Sequence, residues 1–284
     1  MAHVPITEEA HLNGDILYGD DFDELAIAQW YEIEERGYYD LANSQLVDPQ
    51  ESANYGYHGL NAHHGLRHLH DRKFPTCLAL GCGSGADLEP LAAFVDAFYC
   101  IEPAKSWWKD EIAGKPATFV SPSLTGKVKL EAGSIDLAVS FGVLHHIPNV
   151  TSVLAEIIRV MKPGGLLILR EPISWMGDWR RKRPGLTPNE RGLPLPYLKK
   201  TAHALNLRAI SSSLCMFTPL VQITKPLGIK GRYNRPWFVW LDALISNLLA
   251  FNARYRRETT ISKLAAGSIF VVYEKGASLE NSAS

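Results

Sequence analysis

The chain has 284 residues, 46% hydrophobic, 21% charged and 10% aromatic, with a formal net charge of −1. That balance excludes a disordered chain, a collagen-like repeat, a coiled coil and a disulfide-stapled miniprotein. With four cysteines but no C-x-x-C pair, no leader pattern and no run of about 18 apolar residues, the expectation is a cytoplasmic protein with reduced thiols.

The charge is unevenly spread. Residues 1–60 hold thirteen Asp and Glu against one base, Arg36, so the remainder carries +11. Two basic stretches, 180–183 and 225–257, either meet the acidic segment or stay solvated. No basic-aromatic pattern in them matches an RNA-binding module, so no nucleic-acid partner is expected.

Asp21 to Arg36 reads as a helix with Phe22, Leu25, Ala26, Trp30 and Ile33 on one face and Gly37 as its stop. Residues 38–60 are polar and tyrosine-rich without a period, and a second helix is expected over about 57–72. Short apolar runs then alternate with helical stretches: 76–80, 98–101, 117–120, 135–141 and 166–169. Alternation of this kind implies a parallel sheet covered on both faces. The helix after the fourth run is the clearest, with Val150, Val153, Leu154, Ile157, Ile158 and Met161 recurring at helical spacing before Pro163-Gly164-Gly165. A Pro-, Gly-, Arg- and Trp-rich loop follows over 173–196, then a helix near 197–205 and a strand near 207–213. Residues 219–262 read as an insert carrying an apolar helix over 237–251, and 268–273 supplies a last strand.

Leu78 to Gly85 places Gly81, Gly83 and Gly85 where a strand ends and a helix is expected to begin. Glycines there permit positive φ and close approach of a ligand, and the helix start adds donors. Glu102 ends the next strand, in position to accept bonds from both hydroxyls of a ribose. The residues alone leave the nucleoside open, since Gly81-x-Gly83-x-x-Ala86 also satisfies the dinucleotide fingerprint.

Those motifs, with Ile101-Glu102-Pro103, Gly133 to Ser140, Val143-Leu144-His145-His146-Ile147 and Arg159 to Gly165, resemble in order and spacing the class I S-adenosylmethionine-dependent methyltransferases. The small-molecule and quinone-type branch is the most similar, and the Arg170-Glu171-Pro172 to Arg181 stretch is loosely similar to methyltransferases of surface-polysaccharide pathways. The resemblance implies a Rossmann-like, seven-stranded, mostly parallel α/β sheet with helices on both faces and an antiparallel last strand. An acidic helical cap, residues 1–72, would precede the cofactor-binding domain, 73–284, with its insert at 219–262. S-adenosyl-L-methionine is the implied cofactor, held by Gly81, Cys82, Gly83, Gly85, Glu102, Pro103, Phe141, Gly142 and Val143. Ser121 stands where relatives often hold the adenine through an Asp.

His145, His146 and Glu171 are the candidate catalytic residues, because all follow strand ends on the ligand edge. The alternative is that one histidine caps a helix and the other packs under the cofactor, while Glu171 pairs with Arg170 or another base. Trp175, Trp179, Arg180 and Arg181 are the candidate acceptor residues, since indoles stack on flat ligands and arginines suit anions. No metal is expected: His64 and His68 share a helical face, but no further ligand completes a set. Tyr55, Tyr57 and His58 are placed to close over the cofactor. The acceptor is expected to be a saccharide or glycan precursor; the alternatives are a quinone, phenol or amine, or a scaffold without catalysis. The 237–251 helix is expected to be a lid, a homodimer surface or a peripheral membrane contact.

Overall fold

The computed structural model of the chain describes residues 8–42 and 56–277. Eight strands form one sheet: β1 (Phe74–Leu80), β2 (Val95–Ile101), β3 (Glu111–Ile112), β4 (Lys115–Val120), β5 (Ile135–Phe141), β6 (Met161–Pro172), β7 (Leu207–Phe217) and β8 (Ala266–Lys275). Their order is β3-β4-β2-β1-β5-β6-β8-β7. The pairs β4–β2, β2–β1, β1–β5 and β5–β6 are parallel, and β8 runs antiparallel to both β6 and β7. The fold is the expected Rossmann-like α/β sheet. Its eighth strand, β3, is a two-residue hairpin partner of β4, too short to leave a periodic signal.

One face of the sheet is covered by α4 (Val150–Val160) and α5 (Leu195–Ala204), with Leu17 reaching in from the N-terminal segment. The other is covered by α3 (His58–His64) and α7 (Pro236–Leu248). Burial on both sides explains why Leu78, Ala79 and Leu80 are all apolar where an open sheet would alternate. The apolar face of α4 packs as its spacing predicts, although Met161 is already in β6, paired with Ile135.

The structure corrects the sequence reading in three places. No α-helix follows the glycine turn; a 3-10 turn at Glu89–Ala93 stands there, so no full helix start adds donors. The expected 57–72 helix breaks at Gly65, after α3, into a 3-10 turn at Leu66–Leu69. The first long helix, α2, runs Glu24–Ala42, through Gly37, after the short α1 (Glu8–Asn13). Its buried stripe is Ile27, Trp30 and Glu34, whereas Leu25 is 68% exposed. The helix is rotated because Trp30 donates from its indole N–H to the His146 carbonyl at 2.7 Å, which turns Glu34 inward. Asp20 completes the docking: its carboxylate accepts the Thr151 N–H at 2.8 Å and so caps α4 from a distance.

The acidic segment meets the basic loops at single pairs, Glu8 with Arg180 and Glu9 with Arg256. All four cysteines are unpaired and buried.

Candidate functional site

Gly81 and Gly83 both adopt positive φ, but for different reasons. A Cβ on Gly81 would lie 2.3 Å from Val143 Cγ1, so the missing side chain lets two loops cross. At Gly83 a Cβ would meet nothing within 4 Å, so that backbone borders open space. Gly85 belongs to the packing, because Ile112 would stand 2.8 Å from its Cβ. The Cys82 thiol turns into the core beside Cys100, which leaves its backbone as the part facing the turn.

Glu102 is buried beside that open space. Its Oε2 accepts the Gly83 N–H at 2.8 Å and its Oε1 the Ala104 N–H at 3.0 Å. A carboxylate accepting two backbone donors is well fixed. Behind the turn, one carboxylate oxygen of Asp87 is buried without a hydrogen-bond partner. Burial pushes this group up to about 7, against the pull of Arg170. The open cradle at Gly83, the fixed carboxylate of Glu102 and the unpartnered Asp87 oxygen fit a nucleoside joined to a cationic amino acid, the form of S-adenosylmethionine. Pro103 is exposed at the rim. Ser121 lines a separate cavity of about 400 Å³ between the sheet and α4, with Leu80, Ile101, Ile147 and Val153.

On the other side of β1, Phe141 is buried near Phe270, and Gly142 at φ +77° starts the turn into Val143. Glu171 organises this turn. Its Oε1 accepts N–H bonds from Val143 and Leu144, both at 3.0 Å, and its Oε2 accepts from His145 Nδ1 at 2.9 Å. Arg170 bonds Asn61 and stacks 4.5 Å over Tyr57. Tyr57 also stacks on Tyr233, His58 bonds the Ala86 carbonyl, and Tyr55 lies outside the described residues.

His145 and His146 lie with ring centroids 4.0 Å apart. Burial opposes a charge on His145, but Glu171 and Glu190 outweigh it and raise the group to about 9. Burial, then the neighbouring His145, lowers His146 below its ordinary value. His146 Nδ1 donates to Glu34 Oε2 at 3.0 Å, and the same oxygen accepts the Thr187 hydroxyl at 2.6 Å. Glu190, 3.6 Å from His145 Nε2, is held down at about 2, burial being overcome by the two histidines.

Glu34 and Glu190 were not singled out in the sequence. A carboxylate seven residues after Ile27 and four after Trp30, in line with an apolar stripe, is the signal that marks Glu34. His145, His146 and Glu190 offer ligand atoms within 4.8 Å of one another, the one such group among the described residues. His145 is committed to Glu171 and Glu190, and His146 to Glu34. His64 is instead a neutral core residue stacked on Phe270, lowered to about 3 by burial and then by His63 and Arg67.

The acceptor candidates are drawn into other contacts. Trp175 lies under Arg256 and Trp179 stacks on Tyr18 at 4.8 Å. Arg180 pairs with Asp178 and Glu8, while Arg181 reaches Asp178 only at 3.7 Å and is otherwise exposed.

Residues 78–169 match the protein family described as a methyltransferase domain. An uncharacterized methyltransferase of Mycobacterium bovis is 27% identical over 150 residues, 48% of this chain and 58% of that one. The chain thus spans little more than half the length of that relative. Among solved structures, the [4+2]-cyclase SpnF superposes with a TM-score of 0.51 at 15% identity, over 89% of this chain and 96% of its own. The N-methyltransferase NodS of Bradyrhizobium japonicum, solved with S-adenosyl-L-homocysteine, gives 0.50 at 12%, over 86% and 99%. At those identities the two structures speak for the fold alone. The family match spans the glycine turn, Glu102 and the His-His turn in one stretch, so residues 78–169 of this chain are similar to a methyltransferase domain in the segment that builds this site.

Proposed function

We propose that the chain transfers a methyl group from S-adenosylmethionine to a hydroxyl of a saccharide or glycan precursor. The observation that carries this reading is the histidine pair behind the Gly142–Val143 turn, each ring tied through Nδ1 to a carboxylate. Bound in the cradle, the sulfonium would supply an activated methyl carbon for in-line displacement. The chain must then align the acceptor and remove its proton, and alignment supplies much of the acceleration. His146 suits the proton: it is neutral at physiological pH, and Glu34 fixes its tautomer. The His145 cation beside it favours the oxyanion that forms on the acceptor. Glu171 acts through His145 and the turn as a positioning residue. An amine with an available lone pair would not need this base, which favours a hydroxyl. The saccharide reading is supported by the loop after β6, where exposed Arg181 is left for an anionic group while Trp175 and Trp179 pack against Arg256 and Tyr18.

The first test offers radiolabelled S-adenosylmethionine with pools of saccharides, glycan precursors, quinones, phenols and amines. Label should enter the saccharide or glycan pool and fall by about a hundredfold or more with His146→Gln. Label in a quinone or amine pool would overturn the acceptor assignment.

The second test is the pH profile of kcat/KM. His146 must be deprotonated, so activity should be lost as pH falls through its lowered value, below 6.5. His145 must be protonated, so activity should be lost as pH rises through about 9. Glu34→Gln removes the anion that favours the His146 cation and should move the acid limb lower still. An acid limb unmoved by Glu34→Gln would take His146 out of the reaction.

A further inference from the structure

Nine of the fourteen exposed large apolar side chains among the described residues lie between positions 223 and 264. Their centre is α7, which is apolar on its outward face as well as on the face it packs against the core. The inward face carries Phe238 and Val239 but also Asp242 and Ser246. Asp242 is satisfied there: it accepts the N–H groups of Met216 at 2.8 Å and Phe217 at 2.7 Å, which locks the helix to the end of β7. The outward face carries Trp237, Trp240, Leu244 and Leu248, all within about 80° of arc at 100° per residue. Phe251, in the 3-10 turn that follows, continues the stripe at 83% exposure, with Leu248 at 67% and Trp240 at 59%. Ile223 and Leu227, in and just after the short helix α6 (Thr218–Thr224), add exposed apolar surface ahead of it. Apolar surface this concentrated marks an interaction site.

The charges around the stripe identify its occupant. Between residues 219 and 265 the exposed bases are Lys225, Lys230, Arg235, Arg254 and Lys263, and the exposed acid is Glu258 alone. A second copy meeting this face through a two-fold axis would set like bases near one another with almost nothing to neutralise them. An anionic bilayer surface supplies what both halves lack. Apolar side chains enter the acyl boundary, indoles sit at the headgroup level, and the bases meet lipid phosphates. No helix among the described residues is long and apolar enough to cross a membrane.

We infer that the α6–α7 face docks the chain onto anionic lipid membranes, with Trp237, Trp240, Leu244, Leu248 and Phe251 inserted and the flanking bases on the headgroups. This stands on surface geometry and charge, independently of methyl transfer, and its test reads lipid binding only. The full chain would be mixed with vesicles of phosphatidylcholine alone or with phosphatidylglycerol added. It should sediment with the phosphatidylglycerol vesicles, its tryptophan emission should shift to the blue, and raised salt should weaken binding by about tenfold. Trp240→Ser with Leu248→Ser, at positions outside the core, should weaken partitioning by about tenfold or more with an unchanged melting midpoint. Lys225→Glu with Lys230→Glu tests the same face without touching the stripe, and should lower anionic-vesicle binding at least as much as salt does. Absence of binding at low salt, or full binding by both variants, overturns the inference. A concentration-dependent dimer abolished by the Trp240 and Leu248 changes also overturns it, assigning the stripe to a second copy.

Discussion

Glu102→Ala should lower affinity for S-adenosylmethionine and S-adenosylhomocysteine by about ten- to a hundredfold, the equivalent of losing one charge-assisted contact. The carboxylate has two tasks in the structure. It accepts the Gly83 and Ala104 N–H groups, so it fixes the floor of the cradle, and it stands beside the space that Gly83 leaves open. Alanine removes the brace on the turn and, with it, the acceptor proposed for the ribose. Glutamine should recover little, because an amide nitrogen cannot accept the second backbone bond. Titration calorimetry on the two variants decides the matter. Unchanged affinity in Glu102→Ala would remove the residue from the cofactor site.

Arg191→Ala should cost about 3–5 kcal/mol of folding stability, read as a fall in the urea midpoint. The side chain is 0% exposed and meets no carboxylate at hydrogen-bond distance. It donates from Nε to Tyr18 O at 3.0 Å, from Nη1 to His145 O at 2.9 Å, and from Nη2 to Ile147 O at 2.9 Å and Pro148 O at 3.2 Å. Its guanidinium also lies 5.0 Å from the Trp30 ring centroid. Alanine would strand several buried carbonyls, each at about 1–3 kcal/mol if nothing replaces the donor, and leave a void. Lysine should restore only part, since one ammonium cannot span carbonyls on two sides of a planar fork. A loss under about 1 kcal/mol would mean that water already serves these carbonyls.

Much of this architecture is legible in the sequence, and the reasons differ by element. The strands read as apolar runs because both faces of the sheet are buried, and α4 reads as a helix because its apolar positions keep strict helical spacing. Gly83 and Glu102 are legible through chemistry: a ligand-facing turn needs positive φ and a fixed acceptor. The network behind the histidines is not legible in the same way. Glu34 meets His146 across 112 positions and Thr187 across 153, and no local period records a contact of that range. The rotation of α2 follows from the Trp30 bond, so the sequence stripe through Leu25 and Ile33 points the wrong face inward. α7 misleads for another reason. Apolarity around its circumference argues for burial, and only the fold shows that the Asp242 face is the buried one.

The most direct measurement of the central claim is the binding of S-adenosylhomocysteine and NADH to the unmodified full chain, by calorimetry under identical conditions. One molecule of S-adenosylhomocysteine should bind per chain, with heat abolished or strongly reduced in Glu102→Ala, and NADH should not bind. Binding of NADH with none of S-adenosylhomocysteine would contradict it, and would return Gly81-x-Gly83-x-x-Ala86 to the dinucleotide fingerprint that it also satisfies.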